Sequence, residues 1–240
     1  MAAASTSGPG SPALALDDAA VERQGRRAAQ VENTRRALLD VARQLFTENG
    51  YQATRTEEIV QRAGVTRGAL YHHFRDKEDL FRSVLDEVDA EVESSLLRRS
   101  KEQPVSSWEL FRVNSEIHLD AASRNPAYRQ IVLIDGPSVL GGREWSERRG
   151  GPQVKISEYL SDAIAEGSID ALPIEPLAQI LTSLGVGSAM YIAEAAEPEL
   201  AHAQVAELTE RLLGGLSKDA HLVSTKQQAP TTKTTTKENR

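Results

Sequence analysis

One glycine, between two short segments of helical periodicity, constrains this chain more than any other residue. Before Gly64, residues 57–63 set Ile59, Val60 and Ala63 on one helical face. Glycine at that junction supplies the positive φ that ends a helix without steric cost. Thr66 is a good N-cap, residues 67–73 form the body of a second helix, and Ala69, Leu70 and Phe74 keep to the same apolar side. Two short helices sharing an apolar face across a tight turn make a helix-turn-helix, whose second helix fits the major groove of duplex DNA.

The outward side of that second helix carries Thr66, Arg67, Gly68, Tyr71, His72 and His73, which include donors for phosphates and base edges. Gly68 costs a helix about 1 kcal/mol relative to Ala, which suggests that something outside needs close approach to the backbone. Thr54, Arg55 and Thr56 precede the first helix and Lys77 follows the second. Tyr71, Thr54, Thr56 and Lys77 are the phosphate-contact candidates; Arg67 with His72 or His73 are the candidates for base edges. The order Ile59, Ala63-Gly64-Val65-Thr66, Gly68, Leu70-Tyr71, His73-Phe74, Lys77, Leu80 resembles the signature of the TetR family of bacterial transcriptional regulators. The resemblance is firm over residues 31–97 and elsewhere concerns helical layout. It departs at Val60, usually Ala, and at Arg55, where a Ser or Thr cap is common. Arg55 either shifts the cap to Thr54, with Glu57 completing a capping box, or adds a phosphate contact.

The resemblance implies an all-α protein with an N-terminal three-helix helix-turn-helix DNA-binding domain and a C-terminal helical bundle for ligand binding and dimerisation. It implies a dimeric, ligand-responsive repressor on an inverted-repeat operator, released by a small-molecule effector. The boundaries expected are a disordered arm over 1–28, the DNA-binding domain over 29–76, the effector and dimerisation domain over 77–217, and a disordered tail over 218–240. The arm is rich in Ala, Ser, Gly and Pro and shows no apolar period; Arg23, Arg26 and Arg27 close it. Leu38, Val41, Ala42, Leu45 and Phe46 mark a first helix over 31–48 that backs the reader, ended by Asn49-Gly50. After Asp76 a stripe from Leu80 to Leu96 makes a long helix linking the two domains.

Net charge is −7, yet residues 21–82 hold 12 Lys and Arg against 9 Asp and Glu, while the remainder holds 16 against 26. A positive module on an acidic body suits a protein that grips DNA at one end. The absence of cysteine excludes a disulfide scaffold and a thiolate metal site. No stretch reads as a membrane span or signal peptide, so a cytoplasmic product without membrane partners is expected.

Beyond Pro104 the helical starts and stops continue: Ser106 to Glu109 as a capping box, Asn125-Pro126 as a stop followed by a short helix to Ile134, and a turn at residues 135–137. A segment with Leu140 and Trp145 is expected to end at Gly150-Gly151, and Pro152 to open another helix ended by Gly167. The last two helices, over 176–216, are apolar on more than one side, and the resemblance assigns them to a four-helix homodimer interface. Trp108, Phe111, His118, Tyr128, Trp145, Tyr159, Met190 and Tyr191 are the side chains available to line an effector pocket. No enzyme motif stands: Gly136-Pro137-Ser138 lacks the closing glycine of a nucleophile elbow, Gly185-Val186-Gly187 lacks a third glycine, and His72 and His73 point about 100° apart. No cofactor or metal is implied. The competing reading is an effector-independent architectural DNA-binding dimer, which a filled C-terminal core would favour.

Overall fold

The computed structural model describes residues 12–102 and 106–218, without the side chains of 12–23, 96–97, 99–102, 146 and 149–152. Every described element is helical apart from an antiparallel bridge between Ile169 and Ser217, so the all-α expectation holds. Lys218, the first residue of the expected tail, is tied to the bundle, its amide donating to the Ser168 carbonyl at 3.2 Å; the rest of that expected tail, 219–240, lies outside the described residues.

Helix α1, Pro12–Ala53, is far longer than the period of its apolar residues indicated. The segment expected to be an unstructured arm is helical from Pro12 onward. Proline suits a first turn, and Ala, Leu, Glu and Arg are strong helix formers that need no apolar face. Residues 24–33 are all exposed, and a helix with no buried stripe leaves no periodicity to read. At Gly50 the backbone breaks at φ 75° and ψ 168°, as the Asn49-Gly50 stop predicts.

Leu38, Leu39, Ala42, Leu45 and Phe46 of α1 pack with Ile59 of α2 (Thr56–Arg62) and Leu70 of α3 (Arg67–His73). Helix α4, Lys77–Glu102, adds Leu80, Phe81, Val84, Leu85 and Val88. Its start is a reciprocal cap: Asp76 accepts the Asp79 amide at 2.7 Å, and Asp79 accepts the Arg75 amide at 3.0 Å. The same core runs on without a gap into Ile117 and Leu119 of α5 (Ser107–Arg124), Ile131 to Leu133, and Ile192. Ser106 caps α5 by accepting the Glu109 amide at 3.2 Å, as its sequence predicts.

The short helix expected after Asn125 is a π-helix, Tyr128–Asp135. Its wider turn buries the consecutive Ile131, Val132 and Leu133 together with Asp135, a spread wider than an α-helical stripe allows. Helix α6, Gly136–Glu166, breaks at Gly141 (φ 74°) and runs on through 150–152, where a stop was expected. Glycine tolerates helical angles, and α6 is tied along α4 by Glu144 to Arg82 (2.9 Å), Arg148 to Asp86 (2.5 Å) and Lys155 to Glu93 (3.5 Å). Gly136 is dictated by packing, because a Cβ there would stand 2.7 Å from the Trp145 ring.

Helices α7, Ile174–Glu194, and α8, Pro198–Gly214, close the bundle on α5 and α6. A second core joins Trp108, Phe111, Ile156, Leu160, Ala163, Ile169, Ala178, Leu181 and Leu213. By length and composition alone α7 matches a membrane span, with a mean hydropathy of 1.2 over its apolar window, as the apolar core helix of a non-membrane protein also can. Only 28% of that window is buried in the chain.

Candidate nucleic-acid interface

Thr66 sets the angle of α3 by accepting the Ala69 amide at 3.1 Å, and Gly64, at φ 67°, makes the turn before it. Leu70 and Phe74 are driven inward, so the opposite side of a seven-residue helix is presented to solvent. Thr66, Arg67, Gly68, Tyr71 and His72 are all exposed there, with Arg55 exposed and Thr56 half-exposed at the start of α2. Seven of the ten residues expected to meet DNA therefore share one accessible surface.

Arg67 reaches Glu57 Oε1 at 3.2 Å and lies over the Tyr71 ring at 5.6 Å. Both partners of that ion pair are about two-thirds exposed, so exchanging it for a phosphate or base edge costs little. Glu57 is held below the usual carboxylate range by its own backbone amide and then by the charge of Arg67. A Cβ on Gly68 would meet nothing nearer than Thr66 Oγ1 at 3.8 Å. The fold thus does not require glycine there, and the bare backbone faces outward.

The other three residues are placed differently. Thr54 is buried, its hydroxyl 2.8 Å from the Gly50 carbonyl and 3.2 Å from that of Leu45. The carbonyls stranded where α1 breaks claim that hydroxyl, so Thr54 neither caps α2 nor faces DNA. The N-cap of α2 is Arg55, without a side-chain bond, and the first-turn Glu57 and Glu58 complement the helix dipole instead. Lys77 Nζ donates to the Tyr51 carbonyl at 2.8 Å and the Thr54 carbonyl at 3.0 Å, and stands 3.9 Å from the Tyr51 ring centre. Burial pushes its pKa down. This ammonium is spent inside the protein, holding the tail of α1. His73 is half-buried beside Phe74, and its pKa is lowered by burial first and then by His72 and Arg35.

Two residues carry this arrangement through a pairing that no local sequence signal announces. Tyr51 sits edge-on to Phe81 at 5.0 Å, and its amide donates to Asp135 Oδ2 at 2.8 Å across 84 residues of sequence. In the sequence Asp135 is marked only as the start of a turn, which does not point to Tyr51.

The eight side chains expected to line a pocket do not converge. Trp108 and Phe111 stack at 5.3 Å inside the second core, with Tyr159 packed on its edge. Tyr128 is buried with its hydroxyl 3.0 Å from His118 Nδ1, Trp145 covers Gly136, Met190 packs on the larger core, and Tyr191 is 57% exposed. A cleft of about 690 Å³ opens instead between α4 and α5, lined by polar residues that include Glu91, Arg98, Glu116 and Arg124. It contains none of the eight.

Comparison with known proteins agrees with this architecture. Residues 38–84 match the family described as bacterial regulatory proteins, tetR family, and residues 108–216 match a tetracyclin repressor-like C-terminal domain. The regulator AcrR of Shigella flexneri is 43% identical over 63 residues, 26% of this chain and 29% of that one. With AcrR and BepR, the aligned stretch spans about a third of the relative's length. The Tn10 TetC protein of Escherichia coli is 32% identical over 167 residues, 67% of this chain and 81% of that one. A TetR-family transcriptional regulator from Pectobacterium atrosepticum superposes with a TM-score of 0.67 at 33% identity, over 79% of this chain and 97% of that one. The chain belongs to the tetR family of bacterial transcriptional regulators.

Proposed function

We propose that this regulator is a homodimeric repressor that binds an inverted-repeat operator through two copies of α3 and is released by a small-molecule effector held in the C-terminal domain. The observation that carries the DNA reading is the outward surface of α3, where Arg67, Tyr71 and His72 flank a glycine whose backbone is open to approach. Arg67 and His72 reach base edges, while Arg55, Thr56, Thr66 and Tyr71 meet phosphates. Support for the dimer comes from large apolar side chains left exposed on α7 and α8: Ile180, Tyr191, Leu200, Leu208 and Leu212 are each more than half exposed. A second copy related by a two-fold axis covers such a face and accounts for the apolarity of α7 without a bilayer.

A lesser support for the effector reading is the Trp108 indole, which is 3% exposed and whose Nε1 has no hydrogen-bond acceptor among the described residues. A buried unpaired donor is costly, and a ligand offering an acceptor atom relieves it. The main support for the effector reading is the match of residues 108–216 to a tetracyclin repressor-like C-terminal domain, whereas the filled core around Trp108 and Phe111 is what the effector-independent alternative expects.

The test is selection of duplexes from a randomised pool by the full chain, followed by titration of Arg67→Ala on matched and mismatched sites. The expected result is a two-fold symmetric site, and a loss of about 1–3 kcal/mol of discrimination at one position per half-site in the variant. Recovery of no duplex, or unchanged discrimination, refutes the assignment.

A further inference from the structure

The break at Gly50 leaves a four-residue tail, 51–54, between the body of α1 and the start of α2. The chain enters the reading helices through this tail. It is held from three directions. Lys77, at the head of α4, takes the Tyr51 and Thr54 carbonyls; Phe46 and Phe81 pack against the Tyr51 ring, with centres at 5.8 Å and 5.0 Å; and Asp135 accepts the Tyr51 amide at 2.8 Å. The first two holds come from within the segment that matches the DNA-reading family model. The third comes from the last residue of the π-helix, in the C-terminal half of the chain.

Asp135 is 9% exposed, and its Oδ2 also accepts from Gln130 Nε2 at 3.2 Å, so the carboxylate is fixed from its own side. Gly50 completes the fit: a Cβ there would stand 3.2 Å from Gln130 Nε2 and 3.5 Å from Asp135 Oδ2. A part-buried bond from a backbone amide to a carboxylate is among the stronger single contacts available across such an interface.

We propose that Asp135 is a positioning residue for DNA recognition: from the C-terminal domain it grips the Tyr51 amide and thereby fixes the direction in which α2 and α3 leave α1. It touches no DNA. The proposal rests on the DNA-binding reading above and adds to it the contact through which the body of the protein aims its reader.

The test uses the full chain and the duplex recovered by selection. Asp135→Ala is expected to lower affinity about tenfold or more, with an unchanged slope of log affinity against log salt, because no phosphate contact is lost. Asp135→Asn retains an acceptor for the amide and is expected to restore most of that affinity. In DNA-free protein, hydrogen exchange at the Tyr51 amide is expected to accelerate in Asp135→Ala and to stay near native in Asp135→Asn. Faster exchange, or a lower thermal midpoint, with affinity left within about twofold of native overturns the proposal, as does a changed salt slope. Should Asp135→Ala not fold, Gln130→Leu removes the side-chain donor that steadies the carboxylate. It is expected to show the same two effects in weaker form, and native values for both overturn the proposal. A native chain that binds no duplex sinks the regulator reading, while the exchange rates still decide whether Asp135 holds the tail.

Discussion

At the scale of single residues, the contrast between Gly68 and Lys77 separates binding from folding. Gly68→Ala fills open space on an exposed helix. Thermal unfolding is therefore expected to show a gain of up to about 1 kcal/mol, while duplex titration shows weaker binding, because a methyl group now stands where the backbone was bare. Lys77→Ala does the reverse of what its sequence position suggests. Chemical denaturation is expected to show a loss of about 1–3 kcal/mol from two orphaned carbonyls, and the salt dependence of DNA binding is expected to keep its slope. A slope reduced by about one would return Lys77 to the phosphate contacts. Sequence placed the right residue types around the reader but not all their directions. Thr54 and Lys77 have the chemistry of phosphate ligands, and what turned them inward is the set of carbonyls exposed by the break at Gly50, a feature of the backbone. Thr66 and Arg67 were legible because a cap and an apolar period fix their face locally.

At the scale of elements, periodicity read the buried helices well and the unusual ones badly. The stripes of α4 and α5 hold because one face of each is driven inward. Residues 24–33 of α1 have no such face, and the π-helix over 128–135 buries consecutive residues, so neither has a 3.6-residue signature. The pair α7 and α8 carries a prediction of its own. Leu208 and Leu212 are 60% and 58% exposed and one turn apart on α8. Leu208→Glu puts a charge in the middle of the proposed subunit interface, and sedimentation is expected to show monomers where the native chain forms dimers. A native-like dimer in this variant moves the interface elsewhere. Helicity by circular dichroism is expected to be unchanged, since the side chain contributes little to the monomer's own core.

For the whole molecule, taken as the proposed dimer, the relevant lengths are those between two readers. A symmetric pair addresses half-sites about 34 Å apart on one face of the duplex. Inserting about five base pairs between the half-sites turns one of them to the far side, and affinity is expected to fall to that of a single half-site. Affinity unaffected by the insertion would mean that each subunit binds alone. The bundle was legible as a succession of helices, with α6 standing where two separate segments were expected, but not as a set of contacts. The ion pairs from Arg82, Arg148 and Lys155 along α4 and α6 join residues 62 positions apart in each case, and nothing local announces them. The reach of Asp135 to Tyr51 is longer still. It bears on how freely such proteins exchange parts. A reading head excised near residue 102 and grafted onto another regulator's body would arrive with one amide unanswered, so such a hybrid works only where the new host offers a carboxylate at the same spot.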